Sequence, residues 1–285
     1  MDYEIRQLFF DDGIASLQKI VDLQNIVYAG SNHEFSVAGF KYLYLDNPLG
    51  RVISFNAFQG NDLVAHYACI PMKMNIAGKL VLGLLDIATV THPDHRGKGL
   101  FKMLAQKTFD HAKKSGFGFI LGVANANSIH GYMKYFNFTL ISKLTVKYGW
   151  GTSIRPASNK TYSVYWDEEL LNWRLRKQEY AVHKTSIVGK TNFYKFRNVL
   201  GVKTFMGVFP EKLLSKLNLK KSNNFLRPLN LYVGLGADLK NGHYFGIPSF
   251  IKHSPFNLIF MDLTGNLPPV TKDNIFFQLI DFDVA

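Results

Sequence analysis

The sequence predicts an α/β (α+β) fold: a mixed, mostly antiparallel sheet flanked by helices, followed by a second, smaller lobe built in the same order. Three observations carry this. Helical periodicity comes first and gives way to β-branched runs separated by tight-turn residues, the order of an antiparallel meander covered by helices. Near residue 90 a strand-like run passes through a glycine-bearing loop into a helical run and then a further strand. Beyond residue 150 a helical run and another series of β-runs repeat the opening order.

Ile14, Leu17, Ile20, Val21, Leu23, Gln24 and Val27 recur at helical spacing and predict a helix over 14–28. A short helix over 40–45 is stopped by Asn47-Pro48-Leu49-Gly50. Runs 52–58 and 63–70 read as strands joined by the hairpin loop Gln59-Gly60-Asn61-Asp62, with His66 half-buried in the second of them. A third run, 72–76, reaches the turn Ala77-Gly78-Lys79 and is followed by a long strand over 82–91. Residues 100–114 have helical periodicity, Lys113 and Lys114 suit its C-terminus, and Gly116 is placed to cap it. A strand over 117–123 follows. After a connection over 149–162, a helix is expected over 167–178, with strands over 180–188, 192–197 and 203–208. A helix over 211–217 and strands over 230–235 and 257–263 complete the series. The division expected is residues 1–150 and 151–285.

The composition excludes several classes. The chain has 285 residues, 47% apolar and 19% charged, which is neither a disordered nor a collagen-like nor a coiled-coil mix. Its longest stretch without Asp, Glu, Lys or Arg, residues 115–133, contains four glycines, two asparagines and a histidine, too polar to cross a membrane. Met1-Asp2-Tyr3-Glu4 carries no basic patch before an apolar run, and Cys69 is the single cysteine, so a cytoplasmic location is expected. The net charge of +12 favours anionic partners. No zinc-finger spacing or aromatic RNA-binding pattern accompanies it, so a phosphorylated small molecule is expected rather than a nucleic acid or a membrane. The histidines show no i,i+4 pair, and no metal site is expected. The oligomeric state is left open.

The loop His92-Pro93-Asp94-His95-Arg96-Gly97-Lys98-Gly99 lies directly at a helix start. Such a start carries unpaired N–H groups and about half a positive charge, which favours phosphate oxygens. Gly97 and Gly99 remove side chains that would keep an anion away, and Arg96 and Lys98 add charge at the rim. The pattern G-x-x-x-x-G-K-[ST] is absent and the third glycine of a dinucleotide fingerprint is missing, so neither of those phosphate loops is present.

The run Asp86-Ile87-Ala88-Thr89-Val90-Thr91-His92-Pro93-Asp94-His95-Arg96-Gly97-Lys98-Gly99-Leu100-Phe101 resembles the strand, pyrophosphate loop and helix of the GNAT superfamily of acyl-CoA N-acyltransferases. Asn125-Ala126-Asn127-Ser128 with Tyr132-Met133-Lys134-Tyr135-Phe136-Asn137-Phe138 is similar to its second acyl-CoA segment. The resemblance implies a GNAT-like sheet in which main-chain N–H groups of Arg96, Gly97, Lys98, Gly99, Leu100 and Phe101 cradle the pyrophosphate of acetyl-CoA. Main-chain groups near Val90 and Thr91 would align the pantetheine arm, and Asn127 would hydrogen-bond it or else cap the next helix. The sequence departs from the family pattern at Asp94, at Met133 in the usual tyrosine slot, and at Asn137 in place of glycine. Tyr132 and Tyr135 both remain open as the acid for the leaving thiolate.

Direct transfer needs a base for the incoming amine. Asp86 is the first candidate; its parity with Ala88 and Val90 places the three on one face of the strand. His130 is the second, because it lies near Tyr132 in the sequence; His92, before a proline, reads as a turn residue. The second half, in which Gly234-Leu235-Gly236 lacks the Arg and the following amphipathic helix, resembles a degenerate GNAT-like lobe without its own CoA site. It is expected to shape the acceptor site, with Arg174, Arg176 and Arg197 as candidate contacts. The function expected is N-acetylation of a small primary amine, an amino sugar or nucleotide-linked amino sugar of surface polysaccharide synthesis being favoured by the charge and by the general look of two-lobed bacterial members. Two readings compete with it: a CoA-binding sensor without catalysis, and an acetyltransferase for an aminoglycoside, an amino acid or a protein lysine.

Overall fold

The computed structural model describes residues 2–8, 14–30, 35–150, 155–156, 160–176, 185–187, 190–196, 202–214, 229–239, 243–247 and 254–282. The first half runs β1 (Glu4–Gln7), α1 (Ile14–Val27), α2 (Val37–Tyr44), β2 (Ile53–Gln59), β3 (Asp62–Ile76), β4 (Lys79–Thr91), α3 (Leu100–Lys114), β5 (Phe119–Ala124), α4 (Ile129–Tyr135), β6 (Thr139–Lys143) and β7 (Thr145–Trp150). The second runs β8 (Arg155–Pro156), β9 (Tyr162–Val164), α5 (Glu168–Leu175), β10 (Thr185–Ile187), β11 (Lys190–Phe196), β12 (Val202–Pro210), α6 (Glu211–Leu214), β13 (Leu229–Leu235), β14 (Ala237–Asp238), β15 (His243–Gly246), β16 (Asn257–Asp262) and β17 (Ile275–Gln278).

One mixed sheet runs through both halves. β2 to β4 form the antiparallel meander expected, β1, which the sequence did not mark, pairs with the outer edge of β2, and β5 lies parallel to β4, as a βαβ unit requires. The neighbour of β5 on its far side is β16, which is antiparallel to both β5 and β6 and separates them. β6 then leads through Leu144 into β7, which pairs with β13 and β15 of the second half. One apolar core lies on the face covered by α1 and α2, and a second lies under α3 and α4. Among the described residues no helix is long and apolar enough to cross a membrane.

Runs 63–70 and 72–76 form a single strand, β3, so Pro71 does not break it. Its carbonyl accepts from the Asn47 side-chain amide, beyond the point where β2 pairing ends at Cys69, so its nitrogen faces away from the β4 ladder and no N–H is missed there. α3 has the bounds expected and ends as a Schellman motif: Phe117 N–H donates to Ala112 O and Gly116 N–H to Lys113 O, with Gly116 at φ 83°. Asp167 caps α5 by accepting from Leu170 N–H. His66 is fully rather than half buried; Asn56 Oδ1 at 2.6 Å accepts from Nδ1, and Tyr44 OH at 2.8 Å donates to Nε2. Burial pushes it down to about 3, so it stays a neutral link between α2 and the meander.

Gly83 on β4 abuts the first core closely: an added Cβ would stand 2.4–2.5 Å from three ring carbons of Phe119, which is fully buried and stacked on Phe260. Gly83→Ala is expected to cost about 1–3 kcal/mol by overpacking and to lower the melting temperature by several degrees in a thermal scan.

Candidate active site

β4 and β5 pair only over Leu84↔Ile120, Leu85↔Leu121 and Asp86↔Gly122. Beyond that point β4 continues to Thr91 along β3, and β5 continues to Ala124 along β16, so the two strands separate. The edges that face this gap carry main-chain donors and acceptors with no ladder partner. A cleft opens at the point of separation, lined by Asp86, Ile87, Thr89, Val123, Asn125, Ser128 and Tyr132, with Tyr28 from the end of α1 on its wall.

A β-bulge re-aims the strand here. Ala68 lies opposite Ala88 and Cys69 opposite Asp86, leaving Ile87 as the extra residue. The alternation predicted for Asp86, Ala88 and Val90 is therefore broken. Ala88 packs in the core under α1 and α2, while the Asp86 carboxylate reaches Tyr67 and Tyr132 on the α3 side.

Asp86 Oδ2 accepts two hydroxyls, from Tyr67 at 2.7 Å and from Tyr132. Tyr132 OH also lies 3.4 Å from Thr89 Oγ1 and 3.5 Å from Tyr67 OH. Aromatic packing holds both rings: Tyr67 against Phe101 and Phe109, Tyr132 against Phe101 and Phe138. Burial pushes Asp86 up to about 6, against the pull of the two hydroxyls. The same burial, with the carboxylate alongside, raises both tyrosines. Tyr67 went unnoticed in the sequence because it sits inside an apolar run. Its place in the cluster follows from its register opposite Thr89, which no local sequence signal marks.

Of the other predicted residues, Tyr135 is 43% exposed and its ring faces the ammonium groups of Lys102 and Lys134, each 5.3 Å away, so it is not brought to Asp86. His130 is exposed on α4 and does not line the cleft. Asn127 is exposed and is not the cap of α4; Ser128 holds that position, and Asn125 Oδ1 accepts from the N–H groups of both Asn127 and Ser128. Val90 and Thr91 lie on the part of β4 that β5 has left. Arg174 is 4% exposed, stacked over Trp166 and Trp173, and so belongs to the core rather than to an open acceptor surface. Arg176 is exposed, and Arg197 lies outside the described residues.

After Thr91 a 3₁₀ turn over Pro93–His95 leads to Gly97 and Gly99, at φ 75° and 77°. Neither position has a protein atom within 4 Å of where a Cβ would lie, so the space above the loop is open. Gly99 is the N-cap of α3 and offers no side-chain cap, which leaves the first-turn N–H groups free of helical partners. Arg96 Nε donates to Thr91 O at 3.4 Å and Lys98 Nζ to Asp94 O at 2.9 Å, bracing the loop with exposed cationic side chains. Phe101 ties the same helix start to Tyr67 and Tyr132. These features fit a CoA thioester: an open amide nest for the pyrophosphate, a bare strand edge for the pantetheine amides, and the carboxylate–tyrosine cluster where the strands part.

This arrangement is the one expected of an acyl-CoA N-acyltransferase. Residues 14–139 match the acetyltransferase (GNAT) domain family. Solved structures share the fold well beyond that segment. A conserved Enterococcus faecalis V583 protein of unknown function, described as a probable N-acyltransferase, aligns over 92% of this chain and 73% of its own, at 10% identity and a TM-score of 0.62. A GCN5-related N-acetyltransferase from Kribbella flavida covers 92% and 72% at 12% identity and 0.60. Eis1 from Mycobacterium abscessus covers 92% and 74% at 12% identity and 0.58. No curated protein matches the chain.

Proposed function

We propose that the chain transfers the acetyl group of acetyl-CoA to a primary amine of a small molecule, with an amino sugar or nucleotide-linked amino sugar as the favoured acceptor. The observation that carries the chemistry is the hydrogen bond between Tyr132 and Asp86 at the point where β4 and β5 part. The neutral amine attacks the thioester carbonyl carbon, a C–N bond forms, and main-chain N–H groups at the freed edge of β4 near Val90 meet the developing oxyanion. Asp86 takes the proton the nitrogen must lose. Tyr132 gives its proton to the departing thiolate as the C–S bond breaks, and exchange through solvent in the open cleft then takes the proton from Asp86 and restores that of Tyr132. The products are an amide and CoA thiol, with no net proton change at the site.

The +12 charge supports an acceptor that carries phosphate, and Ile259 of β16 brings the second half to the wall of the cleft. Release of CoA thiol across a panel of nucleotide-linked amino sugars, free amino sugars, aminoglycosides, amino acids and lysine peptides tests this. Fastest turnover is expected with a phosphate-bearing amino sugar. CoA binding without thiol release from any amine would favour the sensor reading instead.

Tyr135 takes a different part in this scheme from the acid first considered. With Lys102 in the first turn of α3 and Lys134 on α4, it forms an exposed aromatic and cationic edge beside the pyrophosphate loop, suited to the nucleotide end of CoA. Lys102→Ala and Lys134→Ala are expected to weaken CoA by roughly three- to tenfold in calorimetry, as salt-screened phosphate contacts do. Dephospho-CoA should be affected less.

A further inference from the structure

We propose that Tyr67 is a positioning residue that keeps the Asp86 carboxylate ionised and turned so that Oδ1 is the oxygen offered to the substrate. The proposal rests on the reading of Asp86 as the base. Tyr67 OH donates to Oδ2 at 2.7 Å, and Tyr132 donates to the same oxygen. With both hydroxyls on Oδ2, the proton-accepting capacity left on the carboxylate lies on Oδ1, and the residue lines the cleft. Tyr67 cannot turn away: it is fully buried, its ring wedged between Phe101 of α3 and Phe109.

The surroundings offer little else to stabilise a negative charge. The groups that face Asp86 are Tyr67 and Cys69 from β3, Thr89 from its own strand, Gly122 from β5 and Tyr132 from α4. Cys69 is buried and its thiol is pushed up, so it stays neutral, and among the described residues no Lys or Arg lines the cleft. An ionised carboxylate in such a place depends on hydrogen bonds to its charged form. Tyr132 must let its hydrogen bond go while it protonates the thiolate. Tyr67 has no such duty, and so is the donor that stays with Asp86 through the cycle.

The measurement is carbon-13 NMR of the full chain labelled at aspartate carboxyls, titrated in pH, with the Asp86 signal identified by its loss in Asp86→Asn. The wild-type midpoint is expected near 6. Removing one hydrogen bond to the charged form favours protonation, so Tyr67→Phe is expected to raise the midpoint by about one pH unit. A merely structural role would not move it, and a midpoint that coincides with wild type overturns the proposal. Should Tyr67→Phe fail to fold, 3-fluorotyrosine incorporated at position 67, a stronger donor, is expected to lower the midpoint; no movement there is equally fatal. With a nucleotide-linked amino sugar as the probe acceptor, the acidic limb of kcat/KM should move with the NMR midpoint while the KM for acetyl-CoA holds. Undiminished transfer by Asp86→Asn would instead remove the reading of Asp86 as base, an outcome separate from any shift seen in the titration.

Discussion

Gly97→Val and Gly99→Val are each expected to abolish acetyl-CoA binding. Two effects act together. Both glycines hold φ near +75°, a region that a β-branched side chain is strongly disfavoured from entering, so valine would pull the loop out of shape. The second effect survives even if the backbone holds. The space above each glycine is empty of protein, and a valine side chain would fill the place that phosphate oxygens need to reach the α3 amides. Isothermal titration should give one CoA site per chain in the wild type and more than a hundredfold loss in either variant. Unchanged affinity in both would remove the loop from the binding site.

Tyr132→Phe is expected to lower kcat on the order of 100-fold while acetyl-CoA affinity is kept, because it removes a proton donor and little packing. Its ring would still rest on Phe101 and Phe138. Tyr135→Phe, out on the surface, should leave kcat unchanged. The pH dependence follows from Asp86. A base must be ionised, so activity should rise with pH through about 6 and fall away below it. Stability runs the other way. A carboxyl whose folded pKa is raised contributes stability that is present at low pH and lost as pH rises through that value. Asp86→Asn is therefore expected to be slow but no less stable at pH 7, which thermal scans at pH 5 and pH 7 would check. A melting temperature well below wild type at pH 7 would show the charge to be better solvated than its place in the cleft implies.

The loop and helix of the site were legible in the sequence because their causes are local. Glycines at positive φ, an uncapped helix start and a Schellman end all lie within 25 residues, and α3 falls where periodicity placed it. Tyr132 was named for its distance from a motif, and the structure brings it to Asp86. What remained hidden depends on register. The bulge at Ile87 turns Asp86 to the opposite face from the one simple alternation gives, and no residue type marks a bulge of this kind. Tyr67 joins the cluster only through its pairing across β3 and β4. The runs 63–70 and 72–76 stand apart at Pro71 in the sequence, but whether a proline interrupts a strand depends on which neighbour its nitrogen faces. The position of β16 between β5 and β6 could not be read from spacing, because strand pairing across such a distance leaves no local trace.

That last placement has a bearing on how the protein comes into being. Asn257, which lies opposite Ala124 in the finished sheet, is 133 positions away from it along the chain. At roughly 5–20 residues per second of synthesis, on the order of ten seconds pass between the emergence of β5 and that of its neighbour. Throughout that interval β5 and β6 present bare edges, the kind of surface on which strands of other chains add. The acyl-CoA cleft, one wall of which is β5, cannot be braced until the second half has been made. A ribosome that stalls after Trp150 would release a sheet with a missing strand rather than a small working enzyme. Completion of the catalytic lobe is thus tied to completion of the chain, and escape from aggregation during synthesis depends on how well those two edges are shielded in the meantime.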